Sequence, residues 1–254
     1  MYKIPANTLF VGKNLVFVPE CHSTNTIAME LGQHNSAIEG TLVITDRQVT
    51  GRGQRGSSWI SEPGKNLTLS LIFKPTFLKP DQQFWLTRVI ALGIADYVRS
   101  KVKGSVKVKW PNDVLVEGNK VCGILIENSI SGSTLQFSVV GIGLNINQLT
   151  FYKLKATSLK LETGFDYSLQ DELHALLQVI EIRYLQLREG KRDLLEGDYL
   201  KSLYRMGESQ SFNTSTGSIQ GIIVGVDLLG RLLVQTDKAI QAYDLKEIRF
   251  ADHL

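Results

Sequence analysis

Three glycines, two arginines and a tryptophan lie within residues 51–59, which read GRGQRGSSW. Glycine permits positive φ angles and lets backbone amides come close to a ligand. Consecutive amides in such a turn can form an anion-binding concavity, and arginine guanidinium groups bind carboxylate or phosphate oxygens in pairs. The stretch therefore predicts a cradle for an anionic small molecule, although short patterns of this kind also occur in ordinary surface loops.

Two β-prone segments flank this loop. Residues 41–45 read TLVIT, and residues 66–73 (NLTLSLIF) alternate apolar and polar side chains as a half-buried strand does. We expect both strands in one sheet, which would support the loop between them. Further on, residues 81–102 are predicted to form a helix with a buried apolar stripe and with Arg88 on its outer face.

Small polar residues begin a predicted helix near the start of the chain. The β-prone run at residues 14–18 is expected to end at Pro19, and Ser23, Thr24 and Asn25 follow. These residue types are preferred at helix N-termini. Their role is either simple capping or the presentation of hydroxyl and amide groups to a polar ligand.

The second informative stretch is residues 106–127, which read VKVKWPNDVLVEGNKVCGILIE. Its Gly-Asn pair predicts a hairpin turn between two β-rich arms. Pro111 has no backbone N–H group to donate to a neighbouring strand, so the first arm should stop or bulge there. Asn112 and Asp113 would then face a pocket. Lys120 follows the turn, either as a solvated surface lysine or as a ligand for phosphate or carboxylate.

A strand predicted over residues 135–140 runs into the sequence GIGLNIN at residues 141–147. A dinucleotide-binding turn would need a third glycine and a following helix, and the sequence has neither, so we reject that interpretation. The two glycines instead predict a close approach of the backbone to a ligand or to a neighbouring strand.

Composition excludes several classes of protein. The chain has 254 residues and a net charge of +3, which is too small to predict the strongly basic surface of a nucleic-acid-binding protein. Its apolar runs are too short to span a bilayer, and its first residues lack the apolar core of a signal peptide. Two cysteines without a CxxC pairing suit a reducing cytoplasm, and the four histidines lack metal-ligand spacing.

In the C-terminal third, the sequence pattern changes from helical apolar stripes to short β-rich runs. Residues 168–189 carry an apolar stripe at helical spacing, and a second helix is predicted over residues 193–204. Short β-rich runs then predict a small barrel with mixed surface charge. These runs are residues 219–226, 232–235 and 248–250. We therefore divide the chain into a domain of residues 1–205 and a smaller one of residues 206–254.

Several motifs in one order resemble those of biotin protein ligases. They are GRGxRGxxW, then KWPND with a lysine before GILIE, then GIGLNIN. The triplet at residues 23–25 and the sequence ATSL at residues 156–159 match further motifs of that family. Some family members begin with a DNA-binding helix-turn-helix domain, but the residues before Ser23 are too few for one. The resemblance therefore implies the form without that domain and no DNA partner.

The resemblance implies an α+β fold, in which a mixed β-sheet catalytic domain flanked by helices, like that of class II synthetases, precedes a small SH3-like β-barrel. It implies a cytoplasmic biotin–[acetyl-CoA-carboxylase] ligase that uses biotin, ATP and Mg²⁺ and has no membrane partner. Biotin and ATP would give biotinyl-5′-AMP, and a lysine of the biotin carboxyl carrier protein or domain of a carboxylase would then take the biotin. A homodimer stays open, because edge strands could pair across a two-fold axis.

The resemblance also assigns site residues. The expected catalytic residues are Arg52, Lys120 and Asp113, and Asp113 is also the expected Mg²⁺ ligand. The expected biotin-binding residues are Ser23, Thr24, Asn25, Gln48, Arg52, Gly53, Gln54, Lys120, Gly141 and Gly143. The expected ATP-binding residues are Arg52, Arg55, Trp59, Asn112, Asp113, Lys120 and Asn145.

One residue departs from the family's pattern. Better-known members carry arginine where this chain has Gln54, and a glutamine side chain cannot neutralise an anion. Two other functions therefore stay open. The first is a lipoate- or octanoate-protein ligase, and the second is a non-catalytic biotin-binding adaptor. The motifs and the predicted barrel favour biotin over lipoate, and the presence of Arg52 and Lys120 favours an enzyme over an adaptor.

Overall fold

The computed structural model describes residues 2–34, 36–152 and 154–251, and only the backbone of Arg55. The strands of its larger sheet are β1 (Leu15–Cys21), β2 (Thr41–Gln48), β3 (Leu67–Phe73), β4 (Val106–Lys109), β5 (Asp113–Val116), β6 (Asn119–Ser131) and β7 (Thr134–Leu144). They lie in the order β1-β2-β3-β7-β6-β5-β4. The pair β1–β2 is parallel and the other neighbouring pairs are antiparallel, so the sheet is mixed, as expected.

Helices cover both faces of this sheet. They are α1 (Thr24–Gln33), α2 (Phe84–Arg99), α3 (Leu159–Thr163), α4 (Leu169–Arg188) and α5 (Arg192–Ser202). The helix α1 packs on β2, β3 and β7 over a small apolar cluster, whereas α2 and α4 pack together over the main core. The long helices predicted from the apolar stripes are thus confirmed. Within the described ranges, no helix has the length and apolar composition needed to cross a membrane.

The strand β3 was predicted to be half buried, and this is wrong because all seven of its residues are buried. It lies in the middle of the sheet, between β2 and β7. Leu69 and Leu71 belong to the main core, whereas the Ser70 hydroxyl lies on the α1 side within hydrogen-bonding distance of α1 side chains. The polar half of the alternation is therefore covered by a helix and used for hydrogen bonding.

Proline residues have different effects in two strands. Pro19 does not end β1, which continues to Cys21. The strand β1 lies at the edge of the sheet, where a residue without an N–H group leaves no ladder bond unmade. Pro111, by contrast, follows the end of β4, and the chain reverses into β5 with Lys109 opposite Asp113. The first β-rich arm is therefore itself a hairpin.

The predicted hairpin between β5 and β6 is confirmed, but its turn lies one residue earlier than the Gly118-Asn119 pair, because Asn119 already pairs with Val116. Glu117 and Gly118 have φ angles of 47° and 77°, which fits a two-residue hairpin turn with both central residues in the left-handed region. Lys120 therefore begins the returning strand beside β5, as the sequence predicts.

The C-terminal residues form a separate antiparallel sheet of five strands in the order β11-β10-β9-β8-β12. Its strands are β8 (Ser209–Thr214), β9 (Gly217–Val226), β10 (Leu232–Gln235), β11 (Ile240–Tyr243) and β12 (Ile248–Phe250). The three predicted runs are confirmed, but β8 and β11 were missed because they are short and largely polar or exposed. Apolar residues of this sheet join the main core, and a domain boundary at residue 205 stays a prediction.

Arg88 was expected on the outer face of α2, and this is wrong because its side chain is 1% exposed. Its Nη2 donates to the carbonyl oxygens of Val226 and Asp227, at 2.7 and 3.1 Å. Its Nη1 reaches Glu196 at 3.3 Å, and its guanidinium carbon lies 4.6 Å from the centre of the Trp85 ring. Arg88 thus connects α2 to the end of β9, a tertiary role that helical periodicity cannot reveal.

Arg88→Ala should destabilise the protein by about 3 kcal/mol, because it leaves two buried carbonyl oxygens and Glu196 without their donor. Urea unfolding monitored by circular dichroism would measure the change. The matched control is Arg47→Ala, which breaks an exposed ion pair to Glu20 of 2.9 Å and should cost less than about 1 kcal/mol. Equal losses in the two variants would contradict the role assigned to Arg88.

Candidate active site

One pocket of about 170 Å³ opens over the large sheet, where the start of α1, the glycine loop and strands β3, β5, β6 and β7 meet. Most of the predicted site residues line it. They are Ser23, Thr24, Asn25, Gln48, Arg52, Gly53, Gln54, Trp59, Asn112, Asp113, Lys120, Gly141 and Gly143. Motifs that are far apart in the sequence therefore converge on one cavity.

The start of α1 contributes polar groups to the pocket. Ser23 is the N-cap residue, but its side chain makes no capping hydrogen bond. The side-chain oxygen of Gln48, at the end of β2, instead accepts from the backbone N–H of Thr24 at 2.9 Å. Because the Ser23 side chain makes no capping bond and lines the pocket, its buried hydroxyl is available to a ligand. Of the two roles considered for the N-terminal polar residues, ligand presentation fits Ser23 better than capping.

Asn25 is held by protein groups at both ends of its amide. Its Oδ1 accepts from Ser70 Oγ at 2.6 Å, and its Nδ2 donates to Glu127 Oε2 at 2.8 Å. Glu127 also forms an ion pair with Arg52, with 3.0 Å between Oε2 and Nη2. A polar chain thus runs from the centre of the sheet to the glycine loop.

Sequence reasoning assigned no role to Ser70 or Glu127. The available signals were a serine at a polar position of an apolar strand and a glutamate ending the GILIE motif. Neither signal identifies a partner that is distant in the sequence. Neither residue lines the pocket itself. The pocket-lining residues that were not predicted are Ser57, Ser58, Thr68, Leu69, Gly123, Ile124, Leu125 and Ile142.

The turn between β4 and β5 and the start of β6 form the charged wall of the pocket. Lys120 Nζ lies 2.6 Å from Asp113 Oδ1 and 5.6 Å from the centre of the Trp59 ring. The Asn112 side chain donates to the carbonyl oxygen of Ile124, whose N–H returns a bond of 3.0 Å to the Asn112 carbonyl oxygen. These bonds fix the turn that carries Asp113 and place its carboxylate against the lysine.

Several cationic side chains lie close to one another beside this wall. Burial lowers the pKa of the Lys109 ammonium group to about 8, and Lys120, Lys155 and Arg205 lower it further while Asp113 raises it. Four cationic side chains therefore lie close enough to influence one another. Such a concentration of positive charge suits an anionic ligand.

The glycines of the pocket make room for side chains. A Cβ atom on Gly143 would lie 2.2 Å from the Trp59 indole, and one on Gly123 would lie 3.0 Å from it. A Cβ atom on Gly141 would lie 2.3 Å from Asn25 Oδ1. Trp59 and Asn25 therefore rest directly on the backbone of β6 and β7. Trp59 Nε1 is buried and has no hydrogen-bond partner within the described part of the chain.

A family model matches residues 18–145, half of the chain, and its description is the biotin/lipoate A/B protein ligase family. The chain belongs to this family. The match runs from within β1 to just past the end of β7 and so contains every element that lines the pocket. The resemblance inferred from the motifs is thereby confirmed.

Relatives within the family cover nearly the whole chain. The bifunctional ligase/repressor BirA of Bacillus subtilis is 30% identical over 247 residues, which are 92% of this chain and 73% of that protein. The biotin–[acetyl-CoA-carboxylase] ligase of Paracoccus denitrificans is 30% identical over 238 residues, 90% of this chain and 97% of that protein. The biotin protein ligase of Aquifex aeolicus in complex with biotin and ATP aligns with a TM-score of 0.78 and 28% identity, over 93% of this chain and 98% of that one. The expected α+β fold is confirmed.

Two predicted ATP-binding residues of this family member stand apart from the others. The Arg55 side chain lies outside the described residues. Asn145 is 2% exposed and does not line the pocket, and its Nδ2 donates to the Thr157 carbonyl oxygen at 2.9 Å. Its Oδ1 is buried and has no partner in the described ranges. The ATP-binding roles of both residues stay predictions.

The described residues contain no group of three histidine, cysteine, aspartate or glutamate side chains that could hold a metal ion. Asp113 offers one carboxylate, and one of its oxygens contacts Lys120. This arrangement does not fit a metal cage made by the protein alone. It fits the type of magnesium site in which one carboxylate binds an ion whose other ligands are substrate phosphates and water.

Proposed function

We propose that this chain is a biotin protein ligase, which activates biotin with ATP to biotinyl-5′-AMP and transfers the biotin to a lysine of a carboxylase carrier domain. The observation that carries the proposal is that Arg52, Lys120 and Asp113 meet at one pocket with the polar start of α1. The named relatives support it. The Paracoccus enzyme is a biotin–[acetyl-CoA-carboxylase] ligase, and the Aquifex ligase was solved with biotin and ATP.

The polar end of the pocket would bind the uncharged ring system of biotin. Ser23, Thr24 and Gln48 present hydroxyl and amide groups there, and a ureido ring carries both donors and an acceptor. Asn25 supports this wall from behind, since its amide is bonded to Ser70 and Glu127. Gly141 lets Asn25 lie against the sheet, so a ligand-binding role for this glycine acts through Asn25.

The charged end would bring the two reacting anions together. In the first step a biotin carboxylate oxygen attacks the α-phosphorus of ATP, the bond from this phosphorus to the β-phosphate oxygen breaks, and pyrophosphate leaves. The carboxylate and the triphosphate repel each other, so fixed positive charge lowers the barrier. Arg52 and Lys120 supply that charge, and Gly53 and the neighbouring backbone amides supply oriented donors.

The nucleotide would lie along Trp59, Asn112 and Asp113, with Arg55 and Asn145 as further proposed contacts. Mg²⁺ bound to the phosphates would neutralise their charge, and Asp113 is the residue that we propose as its protein ligand. In the second step the acceptor lysine nitrogen attacks the carbonyl carbon of the adenylate, loses a proton, and AMP leaves. The acceptor that the relatives' names support is a carrier domain of acetyl-CoA carboxylase.

Exchange of labelled pyrophosphate into ATP tests the first step without any acceptor. The assay would be run with biotin, lipoate or octanoate, each with and without Mg²⁺. Exchange with biotin and Mg²⁺ would support the proposal, and exchange with lipoate or octanoate alone would assign the chain to the lipoate branch of its family. Biotin binding without exchange under any condition would favour an adaptor, and exchange without any divalent ion would refute the role of Mg²⁺.

Gln54→Arg should slow the release of biotinyl-AMP about tenfold, because one added positive charge near the adenylate phosphate contributes roughly 1.4 kcal/mol. Gln54 lines both the pocket and the neighbouring groove that contains Lys109, so a cation here would lie at the edge of the pocket. The half-life of the bound adenylate after rapid dilution measures the effect. Gln54→Met is the uncharged control, and equal half-lives in both variants would contradict the argument.

A further inference from the structure

Glu127 contacts Arg52 and Asn25 but does not itself line the pocket. Its Oε2 accepts from Arg52 Nη2 at 3.0 Å and from Asn25 Nδ2 at 2.8 Å. The carboxylate lies on β6, two residues beyond Leu125, which does line the pocket. Glu127 therefore lies on the same face of β6 as Leu125, at the edge of the pocket and next to the two side chains that it binds.

The Asn25 end of this arrangement is rigid. Asn25 is 3% exposed, and its amide also contacts Ser70 Oγ at 2.6 Å and the Leu125 carbonyl oxygen at 3.3 Å. Ser70 lies at the centre of the sheet and is fully buried. One oxygen of Glu127 is thus fixed relative to the sheet by a buried amide.

The Arg52 end is half exposed and lies on a loop. The Arg52 side chain is 49% exposed, and its loop closes mainly on itself, through Gly53 N to Ser57 O at 2.7 Å and Trp59 N to Gly51 O at 2.9 Å. A half-exposed arginine loses much rotamer freedom when it takes one orientation. The ion pair with Glu127 selects that orientation before substrate binds.

The pairing leaves most of the guanidinium free for a ligand. An arginine has five N–H donors, and the contact with Glu127 uses the Nη2 group. The remaining donors can bind carboxylate or phosphate oxygens. An anchored guanidinium then needs little reorganisation when charge develops in the transition state.

We propose that Glu127 is a positioning residue that orients Arg52 toward the reacting carboxylate and α-phosphate. This inference rests on the proposed ligase function. Glu127 does not touch substrate, and its effect on the reaction passes through Arg52. The orientation in which Arg52 can bind the reacting anions therefore depends on a carboxylate that lies 75 positions away in the sequence.

Glu127→Ala should lower kcat for biotin-dependent pyrophosphate exchange roughly 30-fold, because misplacing a catalytic group by about 1 Å costs up to 10²-fold. Glu127→Gln keeps an oxygen acceptor but loses the charge, so we expect a smaller loss of about fivefold. Asn25 keeps the Leu125 carbonyl oxygen as an acceptor in both variants, so thermal unfolding should change little. The matched control is Glu20→Ala, which removes the 2.9 Å ion pair of Glu20 with Arg47 on the surface and should leave exchange unchanged.

A double-mutant cycle with Arg52→Gln separates positioning from a general structural role. If Glu127 acts through Arg52, the double variant Arg52→Gln/Glu127→Ala is no slower than Arg52→Gln alone. If the two losses multiply, the inference is overturned while the ligase function stands, since the wild-type chain still exchanges. Absence of exchange in the wild-type chain would instead refute the ligase function, and the inference with it.

Discussion

Lys120→Ala should lower biotin-dependent pyrophosphate exchange roughly 10³-fold, the upper range for removing one group that stabilises a transition state. Lys120 Nζ is 2.6 Å from Asp113 and faces the same pocket as Arg52. Its loss removes positive charge from the place where two anions must meet. It also leaves the Asp113 carboxylate unpaired beside the phosphates, which adds repulsion.

Two measurements distinguish a catalytic lysine from one that only binds. Exchange kinetics give kcat and KM, and calorimetry gives the affinity for biotin. If the chain is an enzyme, Lys120→Ala lowers kcat strongly. If it is an adaptor, the same substitution only weakens the binding of biotin. Lys238→Ala is the matched control, because Lys238 is an exposed lysine in the turn between β10 and β11 and its loss should not change exchange. A Lys120→Ala enzyme with normal kcat and raised KM would contradict the catalytic role.

The parts of the site that were predictable from sequence depend on local chemistry. A glycine between β-rich arms predicts the hairpin before Lys120, and the structure confirms the hairpin, with its two turn residues, Glu117 and Gly118, one position earlier than the Gly-Asn pair. The glycine loop lies between antiparallel neighbours β2 and β3, as the flanking patterns predict. In both cases a short stretch contains its own structural information.

The parts that were missed depend on partners distant in the sequence. Helical periodicity places Arg88 on the outer face of α2. It carries no information about the end of β9, which packs against that face. Ser70 and Glu127 looked like ordinary strand residues because their common partner, Asn25, lies on another element. Asn25 and Glu127 are 102 positions apart, and no sequence pattern predicts a hydrogen bond between residues so distant. The polar chain from Ser70 through Asn25 and Glu127 to Arg52 is therefore visible only in the tertiary structure.

The contact between Gly143 and Trp59 is a second place where a small change should have a large effect. Gly143→Ala places a methyl group 2.2 Å from the Trp59 indole, far inside van der Waals contact. The strand is held on both sides, with Gly143 opposite Thr68 and Gly123, so the indole must move rather than the backbone. Trp59 ends the glycine loop, with its N–H bonded to the Gly51 carbonyl oxygen, and lines the pocket, so we expect its displacement to lower exchange roughly 100-fold.

Gly225→Ala is the matched control for this prediction, because a Cβ atom there would meet Leu233 at 3.7 Å, an ordinary contact, in another antiparallel strand. Exchange should be unchanged in the control and reduced in Gly143→Ala, while both keep wild-type thermal unfolding within a few degrees. Tryptophan fluorescence should shift in Gly143→Ala alone, since the half-buried Trp59 indole, whose Nε1 is buried, must leave its place on the sheet. Normal exchange with a shifted spectrum would mean that Trp59 can leave the sheet without loss of adenylation, and the proposed role of this residue in the nucleotide site would then fall.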